Sequence, residues 1–268
     1  MSKVTALHVY PIKSCQGLSL KSSRFDAIGP LYDRRFMLVD PNGKFISQRE
    51  FPRMALIETL IAPTSINVKV PDVPLLKVAL TTRSDARREV EIWGGRGDAE
   101  DAGDHAADWF SSFLQTECRL VHFPDDGFRP VDPKYARFEA RVAFADGYPA
   151  LLTSEASLKD LNERAPEHIP MNRFRPNIVI DGESPFEEDG WRKVRIGEVV
   201  LDVVKPCSRC TITTVNQRNA AVGTEPLTTL ATFRKQGNAV NFGQNCIHHG
   251  PGTIRLGDEV EILERSDG

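Results

Sequence analysis

A chain of 268 residues with 40% hydrophobic and 26% charged content is long enough for one large or two modest domains with buried cores, in the balance usual for globular proteins. A net charge of −3 gives no electrostatic reason to expect a nucleic-acid polymer as partner. The N-terminal segment lacks the apolar core and cleavage site of a signal peptide, and no window reaches the apolar length of a membrane helix. The five cysteines (Cys15, Cys118, Cys207, Cys210, Cys246) are odd in number and scattered, so a cytoplasmic protein without membrane contact is expected.

In chain order, residues 4–10 alternate and are rich in β-branched and aromatic side chains, which predicts a strand that Pro11 ends. Residues 35–40, the turn Pro41-Asn42-Gly43 and the returning residues 44–47 predict a β-hairpin. Short strands are predicted over 65–70, 76–81 and 88–93, each bounded by Pro, Gly, Asp or Ser. A helix is predicted over 103–115, where Trp109, Phe110, Phe113 and Leu114 share a face and Asp104 and Asp108 put negative charge near its start. Residues 119–123 read as a strand, and the Pro- and Asp-rich stretch 124–134 as a connector. A second helix starts at the capping hydroxyls of Thr153-Ser154-Glu155-Ala156-Ser157, ahead of Leu158 and Leu161. Residues 177–180, 193–196, 199–204 and 211–215 read as strands, and 227–235 as a third helix with Pro226 in its first turn. The tail, 252–263, reads as two short strands about a turn. Many short strands with only three helices predict a β-rich, barrel-like α+β architecture.

The strongest local signal is Lys205-Pro206-Cys207-Ser208-Arg209-Cys210. A thioredoxin-like redox pair needs its motif at a helix N-terminus, and the β-branched run after Cys210 speaks against that. Two readings stay open: a zinc site drawing on Cys207, Cys210, Cys246 and His248, and a single cysteine ligating a softer cofactor metal. Lys13-Ser14, Asp33-Arg34-Arg35 and Arg173 with Arg175 place cationic groups at strand ends. Taken singly they are ordinary solvated arginines; converging, they would form an anion pocket. Asn241-Phe242-Gly243-Gln244-Asn245 suits a ligand-touching loop, or an ordinary turn. His248-His249 could serve a metal or be structural, and Glu187-Glu188-Asp189 reads as a solvated acidic loop.

Tyr10-Pro11-Ile12-Lys13-Ser14-Cys15-Gln16-Gly17 and Asp33-Arg34-Arg35-Phe36-Met37-Leu38-Val39 resemble the N-terminal β-barrel region of MOSC proteins. Residues 154–162, Phe174-Arg175-Pro176-Asn177-Ile178-Val179-Ile180, Cys207-Ser208-Arg209-Cys210, Phe242-Gly243-Gln244, Gly252-Thr253-Ile254 and Leu256-Gly257-Asp258 resemble the MOSC domain itself. The resemblance runs from about Val4 to Leu263. Within the family the pattern is most similar to the mitochondrial amidoxime-reducing component and to bacterial reductases of N-hydroxylated bases.

The resemblance implies an N-terminal MOSC-type β-barrel domain over 1–124 and a MOSC domain over 125–265, with a molybdenum cofactor (molybdopterin and molybdenum, not pyridoxal phosphate) between the two halves. It implies Cys210 as the metal ligand, with Cys207 not a ligand. Lys13, Ser14, Arg35, Arg175, Asn177 and Ser208 match positions that hold the pterin and its phosphate, and Asp146 matches an acidic residue near the metal. The implied activity is reduction of hydroxylamines, amidoximes or N-hydroxylated nucleobases, a detoxifying reaction; a cofactor or sulfur carrier and a zinc-stabilised binding module are the alternatives. The chain shows neither the membrane anchor of eukaryotic members nor the clustered cysteines of a ferredoxin domain. A separate electron donor of ferredoxin, flavoprotein or cytochrome b5 type is therefore expected, and a monomer. Gly147 and Tyr148 stand where relatives often carry small hydroxyl residues.

Overall fold

The computed structural model describes residues 1–80 and 87–266. Strand β1 (Val4–Val9) is followed by β2 (Leu18–Leu20), β3 (Ser22–Asp26), β4 (Gly29–Pro30) and β5 (Phe36–Val39). Next come β6 (Glu58–Ile61), β7 (Ser65–Lys69), β8 (Leu76–Ala79), β9 (Arg87–Ile92), β10 (Gly95–Asp101), helix α1 (Asp104–Leu114) and β11 (Arg119–His122). The later chain forms β12 (Ala150–Ser154), α2 (Glu155–Arg164), β13 (Ile178–Ile180), β14 (Trp191–Ile196), β15 (Val199–Ser208), α3 (Leu227–Ala231), β16 (Lys235–Gln236), β17 (Ala239–His248), β18 (Gly252–Arg255) and β19 (Val260–Arg265). The β-rich α+β class read from the sequence is the class observed. Of the strand expected over 76–81, Thr81 lies outside the described residues.

Four sheets organise the described residues, the largest with nine strands in the order β19-β14-β15-β17-β12-β13-β1-β2 plus β16 on β17. The first strand thus belongs to a sheet otherwise built mostly after residue 149: β1 runs antiparallel to β13, with Val4 opposite Ile180 and Leu7 opposite Ile178. Val4, Leu7 and Phe25 accordingly bury in one core with Trp191, Val194, Leu201 and Ile254. A separate core joins Ile12, Phe36, Met54, Val68 and Leu76 to Trp109 and Phe110 of α1. That contact is the apolar face expected of this helix.

Several local expectations change. The returning arm of the hairpin after β5 is reduced to bridges: Gly43 N donates to Asp40 O (3.0 Å), then Val39 bridges Phe45. Residues 211–215 are not a strand. Thr211–Thr214 form one turn of 3₁₀-helix, because Thr213 Oγ1 donates back to Cys210 O (2.9 Å) and Thr214 Oγ1 to Thr211 O (2.8 Å), so local hydroxyl bonding overrides β propensity. The third helix stops at Ala231, and Lys235 instead opens a tight hairpin through Gly237 to Ala239.

The amide-rich stretch 241–245 is no loop. It is the middle of β17, the ten-residue strand that pairs with β12 and β15. Gly243 sits there at φ 76°, where a Cβ would meet Leu152 O at 2.8 Å, so the strand crossing needs glycine. Glu188 is not solvated but fully buried; its carboxylate accepts from Ser157 Oγ (2.9 Å) and Ser154 Oγ (3.2 Å) at the start of α2. Ser154 Oγ also accepts from Ser157 N (3.1 Å), the cap expected from the sequence.

Candidate functional site

The chain leaving β1 turns at Pro11 and docks on the start of β5: Lys13 N donates to Phe36 O (2.7 Å) and Phe36 N to Pro11 O (3.0 Å). This delivers Lys13 and Ser14 to a cleft of about 270 Å³. The facing wall comes from residues 145–151, from Phe174, Arg175 and Asn177 ahead of β13, and from Cys207, Ser208, Arg209 and Cys210 at the end of β15. Lys13, Ser14, Asp146, Arg175, Asn177, Ser208 and Cys210, which are scattered through the sequence, therefore share one cavity. Ser14, Arg34, Trp93 and Arg175 all hold left-handed backbone there, with φ of 65°, 47°, 54° and 57°. Each such residue costs about 1–3 kcal/mol and persists only where its surroundings fix it.

The surroundings do fix it. Tyr10 is buried with the guanidiniums of Arg34 and Arg175 at 4.3 and 4.2 Å from its ring, and its hydroxyl donates to Pro176 O (3.1 Å). Burial pushes its phenol up to about 12, so it stays neutral beside two cations. Arg34 pairs with Asp33, donates to Asn177 Oδ1 (3.0 Å) and reaches Arg175 O (3.2 Å). Asn177 also accepts from Leu151 N (3.2 Å) and donates to His8 O (3.2 Å). Its side chain thus ties β1 and β12 to Arg34. Arg175 Nη1 donates to Cys15 O (2.7 Å), and burial draws its guanidinium down to about 10.

Arg35, expected at this cleft, is elsewhere. Its Nη2 contacts both carboxylate oxygens of Asp26 (2.9 and 2.8 Å) and it lines a different depression, while its neighbour Arg34 occupies the cleft. Arg34 closes a turn with left-handed backbone and Arg35 follows it ahead of β5, so neither lies in a strand whose alternation would mark which arginine points inward. Arg173 is also outside the cleft lining; it holds the turn after Cys210 by donating to Thr213 O (2.5 Å) and Glu225 O (2.7 Å). Lys205, Arg209 and Trp93 are lining residues that the sequence reading did not single out for the cleft, whereas Asn245, from the stretch read as ligand-touching, does line it.

Lys13 Nζ donates to Phe144 O (2.8 Å) and pairs with Asp146 Oδ1, which also accepts from Trp93 Nε1 (3.2 Å). The Asp146 side chain opens to the cleft (69% exposed), while the Lys13 ammonium paired with it is buried. Burial alone would raise its carboxyl; the charge and hydrogen bond of Lys13, then Arg34 and the indole of Trp93, outweigh it and hold the group far below the carboxylate range. Burial in turn draws the Lys13 ammonium below the ordinary lysine range against the pull of Asp146. Asp146 is therefore a hydrogen-bond acceptor at neutral pH and a poor proton donor.

Cys210 presents an exposed thiol to the cleft, and Cys207 is half-buried with Arg209 Nη1 at 2.8 Å from its sulfur. The four residues of the zinc reading do not assemble. Cys246 is fully buried with its thiol on Gln244 O (3.6 Å), His248 Nε2 meets Asp26 O (2.7 Å), and no three metal-ligating side chains cluster among the described residues. Among the described residues five cations (Lys13, Arg34, Arg175, Lys205, Arg209) and one carboxylate line the cleft, and Arg209 Nε is a buried donor without a partner. An accessible soft thiol within a strongly cationic wall fits an anionic, phosphate-bearing cofactor with a thiophilic metal.

The chain belongs to the MOSC family: residues 1–117 match the MOSC N-terminal beta barrel domain and residues 139–261 the MOSC domain. Mitochondrial amidoxime-reducing component 1 of Mus musculus is 36% identical over 97% of this chain and 82% of its own length. The protein of the same name from Homo sapiens is 34% identical with the same coverage. Molybdenum cofactor sulfurase of Oryza sativa subsp. japonica is 32% identical over 88% of this chain and 31% of its own length. These relationships connect the chain with molybdenum-cofactor biology. Among the described residues no helix is long and apolar enough to cross a membrane.

Proposed function

We propose that the protein is a molybdenum-cofactor-dependent reductase of N-hydroxylated compounds: hydroxylamines, amidoximes and N-hydroxylated nucleobases. The observation that carries this reading is the meeting of the exposed Cys210 thiol with five cations and the single carboxylate of Asp146 in one cleft. Cys210 would ligate the metal. Lys13, Ser14, Arg175 and Ser208 would hold the pterin and its phosphate, with Arg34 in the place expected of Arg35 and Asn177 bracing it. When bound, the cofactor supplies a two-electron centre that accepts the oxygen of an N–OH group.

The protein's own part is binding, orientation and charge. The Asp146 Oδ1 atom is taken by Lys13 and Trp93, which leaves Oδ2 to receive a hydrogen bond from the N–H or O–H of a bound amidoxime. Lys13, not Asp146, carries the proton of that pair. Overall, N–OH plus two electrons and two protons gives N–H and water. The electrons come from a separate donor protein of ferredoxin, flavoprotein or cytochrome b5 type. We place the protein in the cytoplasm as a monomer, which cell fractionation and light scattering test.

The experiment is turnover of benzamidoxime to benzamidine by cofactor-loaded protein with a reduced dye as electron source. Turnover is expected; none by protein with a full complement of molybdenum overturns the reading. The match to the sulfurase, together with the exposure of Cys210, favours a second reading as cofactor or sulfur carrier. Transfer of the cofactor to an apo-enzyme, without reduction of any N-hydroxylated compound, would select it.

A further inference from the structure

We infer that Arg129 is a positioning residue that holds Asp146 in the cleft from behind. The inference deepens the reading above and rests on it for the role of Asp146, but not for the geometry. Between β11 and β12 the chain runs from 123 to 149 without a helix or strand, its only pairing among the described residues a bridge between Pro130 and Arg141. So long an irregular segment in a compact fold is usually functional, and this one supplies Ala145, Asp146, Gly147 and Tyr148 to the cleft.

What fixes the segment is side-chain charge on backbone carbonyls. Arg129 Nη1 donates to Ala143 O (2.9 Å) and to Ala145 O, and Nη2 reaches Asp146 O (3.4 Å). Between them Phe144 O accepts from Lys13 Nζ (2.8 Å), and Phe144 N donates to Arg34 O (3.0 Å). Four consecutive carbonyls, 143 to 146, are thus each held by a cation, three of them by one guanidinium. The backbone of Arg129 is itself anchored, accepting from Val142 N (2.9 Å). Among the described residues none of its side-chain donors goes to a carboxylate. Arg129 is absent from the cleft lining and borders the neighbouring groove with Phe144 and Trp93, so it acts only through the loop. A planar fork with two separated amino groups spans carbonyls spread along the loop, which the compact ammonium of a lysine, with its three donors on one nitrogen, reaches only in part.

The test compares Arg129→Ala, Arg129→Lys, Asp146→Asn and the double variant Arg129→Ala/Asp146→Asn as cofactor-loaded proteins. Hydrogen exchange over 143–148 reports the loop. Tryptophan emission reports Asp146, because Trp93, which donates to it, is 49% exposed while Trp109 and Trp191 are buried. Arg129→Ala is expected to speed exchange in that segment, shift the exposed tryptophan emission, and lower kcat/KM about 10- to 100-fold. Arg129→Lys should recover only part of the protection. The double variant should be no slower than Asp146→Asn alone, since one residue works through the other. Unchanged exchange and emission, or losses that multiply in the double variant, overturn the inference. If the wild type turns nothing over, exchange and emission still decide it. Arg129→Gln replaces the alanine variant if that one does not fold.

Discussion

Lys13 and Asp146, 133 residues apart in the sequence, form an ion pair in the cleft, and the same lysine also holds the carbonyl of Phe144, two residues before its partner. The pair joins the loop after the first strand to the long irregular segment, so the wall of the cleft closes across the two matched regions of the chain.

The sign of the Asp146 shift gives a pH prediction. A carboxyl whose folded pKa is depressed stays ionised down to strong acid, and its contribution is lost only as pH falls below the usual carboxylate range. The kcat/KM profile should therefore show no acid limb from this group above about pH 4. An acid limb near pH 6 that disappears in Asp146→Asn would contradict the assignment.

The two cysteines of the motif should separate. Cys210→Ala is expected to lose activity by about 1000-fold or more while keeping its fold and much of its pterin. Cys207→Ala, which loses only the sulfur beside Arg209, should fall by no more than about tenfold. Elemental analysis with pterin fluorescence checks both; equal metal loss in the two variants would return the question to a shared metal site.

The adjacent arginines offer a second contrast. Arg34→Ala removes the contact on Tyr10 and the bonds to Asn177 and Arg175, and should lower stability by about 3 kcal/mol and the bound molybdenum with it. Arg35→Ala breaks a partly exposed pair with Asp26, costs about 1 kcal/mol and leaves cofactor content unchanged. Denaturant melts and metal analysis read both.

Glu188 supplies a prediction away from the cleft. Burial raises its carboxyl above the usual glutamate range, against the hydroxyls of Ser157 and Ser154. In the window between the unfolded value of 4.5 and the raised folded one, the folded protein binds more protons, so stability falls as pH rises through it. Glu188→Gln should flatten that part of the stability curve and leave the protein at least as stable at neutral pH. A variant with an unchanged slope would mean that the shift lies elsewhere.

How much of this was legible in the sequence depended on where local signals spoke alone. The apolar face of α1, the Ser154 cap and the β-branched strands announced themselves because each is fixed by its own residues. The central strand β17 did not, since Gly243 and the amides around it are poor strand formers that only neighbouring strands make tolerable. Most of the cleft residues were visible through family resemblance rather than through spacing. Arg34 was displaced by one position because it closes a left-handed turn ahead of β5, where no strand alternation points one arginine inward, and Arg129 was invisible because its partners are carbonyls, which no sequence pattern encodes.

The place of β1 in the large sheet bears on how the protein is made. Of its two hydrogen-bonding neighbours, β2 follows at once but β13 lies about 170 residues downstream, so during synthesis the first strand emerges with one edge of unpaired N–H and C=O groups that waits for most of the polypeptide to follow. A ribosome-bound intermediate halted before residue 178 would leave that edge open to other chains, and chaperone demand should peak there.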